Sequence, residues 1–168
     1  MATSTTPLSD DERTALLRNF VKDPDSLESQ LSHLIYSTGM HPAVPADPTR
    51  WNVHVETHGD VRLLVWVRPK NKKLVAIPYD PGLDPWFPNL LEVLRLKRYH
   101  PVYVNQLVHA FGTRSGILGL TPRSLRHDYC FRAVGKHGVV IARELTGTTT
   151  DVLMGYARRQ ISLGLAPV

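Results

Sequence analysis

Two side chains in the second half of this chain suit chemistry at a phosphate: Arg126 and, thirty positions later, Tyr156. A guanidinium is planar, permanently charged and able to bind two oxygens of one phosphate. A phenolic oxygen can attack a phosphodiester and keep the bond energy in a covalent phosphotyrosine, a reaction that requires neither water nor metal. Single arginines and tyrosines are more often structural, so the surrounding motifs decide how this pair is interpreted.

Two segments around this pair have a distinctive spacing. Leu120–His127 reads LTPRSLRH, Ala142–Gly147 reads ARELTG, and Tyr156 lies nine residues after Gly147. These segments resemble the catalytic domain of the tyrosine recombinases, the phage-integrase family. In that family His-x-Leu-Arg-His opens a helix, Leu-Gly-His follows, and the nucleophilic tyrosine lies nine residues beyond the last histidine. The spacing of the family is retained here, and some of its residue types are not.

Three segments nearer the N-terminus extend the resemblance. Leu34–His41, LIYSTGMH, is similar to the family helix that ends in Thr-Gly-Met/Leu-Arg, with a histidine in place of the first catalytic arginine. Pro69–Pro78, PKNKKLVAIP, matches without a gap the family hairpin that carries the catalytic lysine. Leu8–Glu12, LSDDE, resembles the first turn of the domain. The likeness covers about residues 8–160, and its departures resemble those of divergent archaeal and viral members.

The resemblance implies a site-specific DNA recombinase or integrase domain that cuts and rejoins double-stranded DNA through a 3′-phosphotyrosyl intermediate on Tyr156. Lys70 would protonate the departing 5′ oxygen, and the self-association of two or four copies on DNA would accompany the reaction. No metal and no nucleotide cofactor are expected. Catalytic roles are expected for Tyr156, Arg126, Arg123, Lys70 and His41, and DNA contacts for Lys72, Lys73, Arg158 and Arg159.

The chain departs from the family at three positions. His41 stands for an arginine, Arg123 for the first histidine of the His-x-x-Arg pair, and Gly147 for a later histidine or tryptophan. A histidine near its ordinary pKa of ~6.5 carries a fraction of a charge at neutral pH, whereas a bound phosphate favours the imidazolium. Arg123 can supply part of the charge missing at His41. A second function stays open: a catalytically degenerate DNA-binding protein that keeps the recombinase fold.

Composition agrees with a DNA partner. Residues 1–90 carry nine basic and 11 acidic groups, whereas residues 91–168 carry 11 basic and four acidic groups, so the second part has a net charge of +7 within an overall +5. Phosphate neutralisation by Lys and Arg supplies most non-specific DNA affinity. The single cysteine, Cys130, indicates a reducing intracellular, cytoplasmic compartment and is interpreted as a packed core thiol. No segment is apolar enough to predict a membrane span.

The expected organisation is one catalytic-type domain over residues 1–168, with a core at about 8–160 and a tail at 161–168. No N-terminal core-binding domain is expected within this length. The chain is therefore interpreted either as the catalytic half of a longer protein or as a minimal recombinase. Ile161, Leu163 and Leu165 resemble the family tail that docks on a neighbouring protomer.

Local patterns predict an α+β fold, mostly helical, with a small three-stranded antiparallel sheet. A capping box at Ser9–Glu12 opens a first helix, Asp25 caps a second that ends at Gly39, and the prolines after His41 exclude further helix. The predicted strands are Val53–Glu56, Val61–Arg68 and Lys73–Pro78, and the later helices are Asn89–Tyr99, Pro101–Phe111, Thr121 to Gly135, Val139–Leu145 and Asp151–Gln160.

The number of histidines also raises the hypothesis of a metal site. His54–His58, HVETH, superficially resembles a zinc-protease motif, but its glutamate is misplaced and the segment is predicted to be extended. No Gly-rich phosphate loop precedes a helix, which argues against a nucleotide-driven enzyme. His127 is interpreted as a surface or packing residue that follows Arg126 as the family's second histidine does.

Overall fold

The computed structural model describes residues 7–164, which form seven α-helices, three strands and one 3-10 turn. No helix among them is both long and apolar enough to cross a membrane. The α-helices are α1 Asp10–Lys22, α2 Leu27–Thr38, α3 Ala43–Ala46, α4 Phe87–Lys97, α5 Pro101–Arg114, α6 Pro122–Thr146 and α7 Thr150–Ser162. The strands are β1 His54–His58, β2 Val61–Val67 and β3 Leu74–Pro78, and the 3-10 turn is Pro81–Leu83.

The three strands form an antiparallel sheet in the order β1-β2-β3, as the sequence predicts. Val55 lies opposite Leu64 in the first pair and Leu64 opposite Ile77 in the second. Leu64 and Ile77 are buried, whereas the flanking positions of β3 are exposed. This alternation places one face of the sheet on the core and projects the β2–β3 turn, which carries the lysines, away from it.

Side-chain caps define the helix ends. Ser9 and Glu12 form the predicted capping box of α1, and Gly39 ends α2 in the left-handed conformation with φ 65°. The cap of α2 is Ser26 rather than the predicted Asp25, because the Ser26 hydroxyl accepts the Ser29 amide at 3.2 Å. The prolines after His41 still admit one helical turn, α3, since a single turn needs few amide donors.

Helix α6 consists of two helical segments, as the sequence predicts, but the break between them lies further along the chain. The first segment is predicted to end at Gly135, whereas the backbone turns at Gly138, with φ 80° and ψ 170°, and the second segment continues to Thr146. A Cβ on Gly135 would overlap the amide of Gln160, which donates to the Phe131 carbonyl at 2.8 Å. Gly135 therefore lets α7 approach α6 closely, and this packing explains a glycine that looks like a helix end.

Two apolar clusters organise the interior. The larger packs α1, α2, α4 and α5 against the sheet, and the smaller joins α6 to α7 through residues that include Cys130, Val134 and Leu153. Cys130 is buried, which agrees with the prediction of a packed core thiol. Because α7 packs mainly on α6, the α6–α7 cluster determines where Tyr156 lies.

A buried ion-pair network ties α1 and α2 to α6. The Asp128 side chain is fully buried and accepts hydrogen bonds from Arg13 Nη2 at 2.7 Å and Arg132 Nε at 2.8 Å. The Leu8 amide donates to the same carboxylate, and Arg132 also donates to the Tyr36 carbonyl. The network satisfies each buried charge and holds α6 at a set position relative to the N-terminal helices.

Candidate active site

A cavity of about 770 Å³ opens where five parts of the fold meet: the ends of α2 and α6, the β2–β3 turn and the first turns of α6 and α7. Side chains predicted from the sequence to act together line it, although they are far apart along the chain. They are His41, Lys70, Arg123, Arg126 and Tyr156.

Arg126 is held by backbone carbonyls rather than by a carboxylate. It donates to the Gly39 carbonyl at 2.5 Å and to the Thr146 carbonyl at 3.1 Å, at the C-terminal ends of α2 and α6. Carbonyls at helix ends carry partial negative charge, so they orient a guanidinium without neutralising it. Gly39 must be glycine here, because its φ is positive and a Cβ would overlap the Tyr129 ring. The charge of Arg126 remains free for an anion.

Tyr156 lies on the second turn of α7, buried against α6. Its side chain is 5% exposed, and its hydroxyl contacts Nδ1 of His127. Burial raises the pKa of Tyr156 far above its ordinary value, and the positive charge of Arg126 opposes this only in part. The resting side chain is therefore a neutral phenol, and it needs a proton acceptor before it can attack.

The two histidines of the cavity are poised in their neutral forms. Desolvation lowers the pKa of His127, and the charges of Arg123 and Arg126 lower it further. Desolvation and Arg126 likewise lower the pKa of His41, whose Nδ1 accepts the Ala43 amide at 3.0 Å. A neutral His127 can accept the Tyr156 proton at Nδ1 when its own proton is on Nε2.

No carboxylate lines this cavity among the described residues 7–164. Four basic side chains do: Arg68, Lys70, Arg123 and Arg126. Like charges gathered without a counterion repel one another, and the potential that they create favours an anion. The hydroxyls of Thr148 and Thr149, in the connection between α6 and α7, add neutral donors to the same wall. The arrangement suits a phosphodiester.

The remaining basic residues named from the sequence lie outside the cavity. Lys72 and Lys73 are exposed on the β2–β3 turn, where the Lys72 ammonium lies 4.5 Å from the centre of the Trp51 ring. Arg158 and Arg159 are exposed on α7, beyond Tyr156. Their DNA contacts stay a prediction. Of the proposed docking tail, Ile161 and Leu163 are exposed, and Leu165 lies outside the described residues.

Sequence reasoning missed two residues of the cavity wall. The sequence predicts His127 to be a surface or packing side chain, but its Nδ1 meets the Tyr156 hydroxyl. For Arg68 the sequence predicts only the end of a strand, yet Arg68 lines the cavity and its guanidinium lies against Gly147. The available signal for His127 was its place next to Arg126, but for Arg68 no spacing pattern pointed to the site.

A metal site has little support in the described part of the chain. His54 and His58 lie on β1, extended as predicted, and both contact Glu56, at 2.7 Å and 2.9 Å. No group of three or more His, Cys, Asp or Glu side chains within residues 7–164 is arranged to hold an ion.

Comparison with known proteins identifies the fold. Neither a family model nor a curated protein sequence matches the chain. A crystal structure described as a lambda integrase(75-356) dimer bound to a COC' core site is similar, with a TM-score of 0.61 and 16% sequence identity. The match covers 93% of this chain and 60% of that one, so the chain spans about 60% of its length.

The match confirms the predicted fold class, a mostly helical domain with a three-stranded antiparallel sheet. At this identity it supports the expected resemblance at the level of the fold, and it does not assign the chain to the archaeal or viral members of the family.

Proposed function

We propose that this protein is a tyrosine-type DNA strand transferase, the catalytic domain of a site-specific recombinase or integrase. The observation that carries the proposal is a tyrosine hydroxyl in a cavity that four cations line without any carboxylate among the described residues. Fold similarity to an integrase structure supports it, and it agrees with the basic second part of the chain. The side chains of the cavity and the path of the backbone are independent features, and both favour phosphoryl transfer on DNA.

In the proposed cleavage step the Tyr156 oxygen attacks the scissile phosphorus while its proton passes to Nδ1 of His127. The bond from phosphorus to the 5′ oxygen breaks, and Lys70 protonates that oxygen as it leaves. A 3′-phosphotyrosyl bond replaces the phosphodiester bond, so its energy is retained. Rejoining is the reverse: a 5′ hydroxyl attacks phosphorus and returns its proton to Lys70, and the phenol regains its proton from His127.

The cations act on the charge that develops at the phosphate. In the pentacovalent state the non-bridging oxygens carry more negative charge than in the ground state, so fixed donors stabilise it preferentially. Arg126 is already oriented by the Gly39 and Thr146 carbonyls. Arg123, on the same helix three residues earlier, adds a second charge near the positive end of the α6 dipole. A bound phosphate also favours protonation of His41.

The proposed partner is double-stranded DNA, and two or more copies are proposed to assemble on it. The similar integrase structure is a dimer bound to a core site, which supports both points for this chain. Lys72, Lys73, Arg158 and Arg159 are the exposed basic residues proposed to contact DNA beyond the scissile phosphate.

A catalytically degenerate DNA-binding protein is the second candidate. It is favoured by the buried, neutral Tyr156 and by the uncharged His41 at a position where the resembling family has a permanent cation. The same basic cavity would then bind a phosphate without cleaving it. Non-specific, salt-sensitive DNA binding is expected of both candidates and does not separate them.

Covalent trapping separates the two candidates even when the target sequence is unknown. A pool of short duplexes with a randomised core and a nick close to each potential cleavage position would be incubated with the protein, denatured in SDS and sequenced from the protein-bound fraction. Wild type is expected to yield an SDS-resistant adduct enriched in one sequence, and Tyr156→Phe none. An adduct absent from wild type but present in His41→Arg would identify the degenerate binder.

A further inference from the structure

Arg68 and Gly147 meet at the cavity wall, although they are far apart in the chain. Arg68 directly follows β2, and Gly147 ends α6 in the left-handed conformation with φ 66°. A Cβ built on Gly147 would overlap Cζ and Nη1 of Arg68. The absence of a side chain at position 147 therefore makes room for the guanidinium of Arg68.

Arg68 is half-buried and has no counterion within the part of the chain that the structure describes. Among residues 7–164 no carboxylate lies within 4.0 Å of its guanidinium. Desolvation lowers its pKa, as does the charge of Arg126, and the more distant Glu144 opposes this weakly. A partly buried cation beside a second cation is unfavourable unless an anion joins them.

Three other arginines that bridge distant parts of the fold differ from Arg68. Arg13 and Arg132 both pair with Asp128, and Arg114 pairs with Asp23 and Glu28. Each of these guanidinium groups has its charge matched within the protein. Arg68 and Arg126 have no carboxylate partner among residues 7–164, and both line the same cavity. The unmatched pair indicates a ligand that brings its own negative charge.

We propose that Arg68 is a phosphate-binding residue that contacts the non-bridging oxygens of the scissile phosphate together with Arg126. It supplies the permanent charge that His41 lacks, and it occupies the space that a side chain at position 147 would need. This inference rests on the proposed function, because the phosphate in question is the one that Tyr156 attacks. Arg68 and Gly147 thus form one unit, because the guanidinium of Arg68 fits at the cavity wall only when position 147 has no side chain.

Anion binding tests Arg68 without any DNA sequence. Tungstate, a tetrahedral dianion, would be titrated by calorimetry into wild type, Arg68→Gln and the control Lys97→Gln, which removes an exposed charge of α4 outside the cavity. Arg68→Gln is expected to weaken binding on the order of tenfold or more, because a charge-assisted contact is lost. Lys97→Gln is expected to bind as wild type does. Equal affinities for wild type and Arg68→Gln would overturn the inference.

A steric test uses Gly147. Asparagine tolerates the left-handed region, so Gly147→Asn should mainly displace Arg68. Gly59→Asn is the matched control, since Gly59 has φ 63° and no atom within 4 Å of a Cβ. Only Gly147→Asn is expected to weaken tungstate binding, with both variants checked for cooperative unfolding. If both variants retain wild-type affinity, Arg68 does not depend on the space at position 147 and the proposed unit is wrong.

Rescue separates a charge role from a structural one. If Arg68 replaces the charge that His41 lacks, adding His41→Arg to Arg68→Gln should restore most of the lost tungstate affinity and of the adduct rate. If the double variant regains neither the tungstate affinity nor the adduct rate, the proposed compensation is wrong.

The outcomes also distinguish this inference from the proposed function. If wild type binds tungstate through Arg68 but forms no DNA adduct, strand transfer is wrong while the phosphate-binding role of Arg68 stands. If wild type forms the adduct and Arg68→Gln forms it equally fast with unchanged tungstate affinity, only the inference about Arg68 is wrong and the proposed function stands.

Discussion

The hydroxyl of Tyr156 on α7 contacts Nδ1 of His127 on α6. Both residues line the cavity, and the contact gives the buried phenol an acceptor for its proton. Because burial raises the pKa of Tyr156 while burial and two arginines lower that of His127, the resting pair is a neutral phenol beside a neutral imidazole. This state suits a general base that acts only when a phosphate arrives.

His127→Ala is expected to slow adduct formation by about 10² to 10⁴ at neutral pH, the range typical of general-base removal. Single-turnover rates on the trapped sequence, measured from pH 5 to pH 9, check this. In wild type the rate at subsaturating DNA, which reports the unbound protein, should fall on the acid side with a midpoint below ~6.5, because protonated His127 cannot accept the phenol proton. The variant should lose this acid limb; an unchanged profile would exclude His127 as the base.

Lys70→Ala should slow cleavage of ordinary DNA, because the 5′ oxygen is then left without its proton donor. Substituting sulfur for that bridging oxygen removes the need for protonation, since a thiolate is a good leaving group. The variant should therefore recover most of the wild-type rate on the sulfur-substituted strand. The exposed Lys97→Ala, on α4 and outside the cavity wall, is the control. A defect that persists with sulfur would assign Lys70 to binding instead.

Arg126→Lys keeps one positive charge but cannot span the Gly39 and Thr146 carbonyls and a phosphate at the same time. Adduct formation should fall by about 10² or more, while tungstate still binds weakly. Quench experiments and calorimetry measure the two effects. If Arg126→Lys forms the adduct at the wild-type rate, the bidentate geometry has no importance for the reaction.

Asp128→Asn should destabilise the fold without entering the chemistry. The fully buried carboxylate pairs with both Arg13 and Arg132, and removing one charge of such a network costs about 3–5 kcal/mol. Urea denaturation measures the free energy of unfolding. The control Asp10→Asn touches Arg13 from an almost fully exposed position and should change this energy little. Equal effects of the two variants would contradict the importance of burial.

Stability should fall as the pH drops through the ordinary histidine pKa. His33 stacks on Phe20 with ring centroids 4.4 Å apart, and burial lowers its pKa against the weaker opposing effect of Asp80. The unfolded chain then binds a proton at ~6.5 that the folded chain binds only at lower pH, so stability present above ~6.5 is lost below it. Thermal melts of wild type and His33→Phe between pH 7.5 and pH 5 should show a smaller pH dependence in the variant.

Local signals were reliable where a few neighbouring residues decide the conformation. The capping box at Ser9, the glycine at Gly39 and the segments rich in Val, Leu and Trp that form β2 and β3 all predicted the elements that formed. The break within α6 is predicted at Gly135 but lies at Gly138, because Gly135 makes room for a contact with Gln160, and that partner cannot be known before α7 is placed. A glycine such as Gly135 can therefore look like a helix end in the sequence, although its role is set by a contact with α7.

Sequence alone determined the residue types that suit a phosphate, their order and the helical or extended state of the segments that carry them. His41, Lys70, Arg126 and Tyr156 follow from motifs whose spacing is fixed by the covalent chain. Only the tertiary structure showed that the wall holds no carboxylate among the described residues and that His127 meets Tyr156. Contacts of this kind depend on how helices pack across long separations, so neither spacing nor composition contains them.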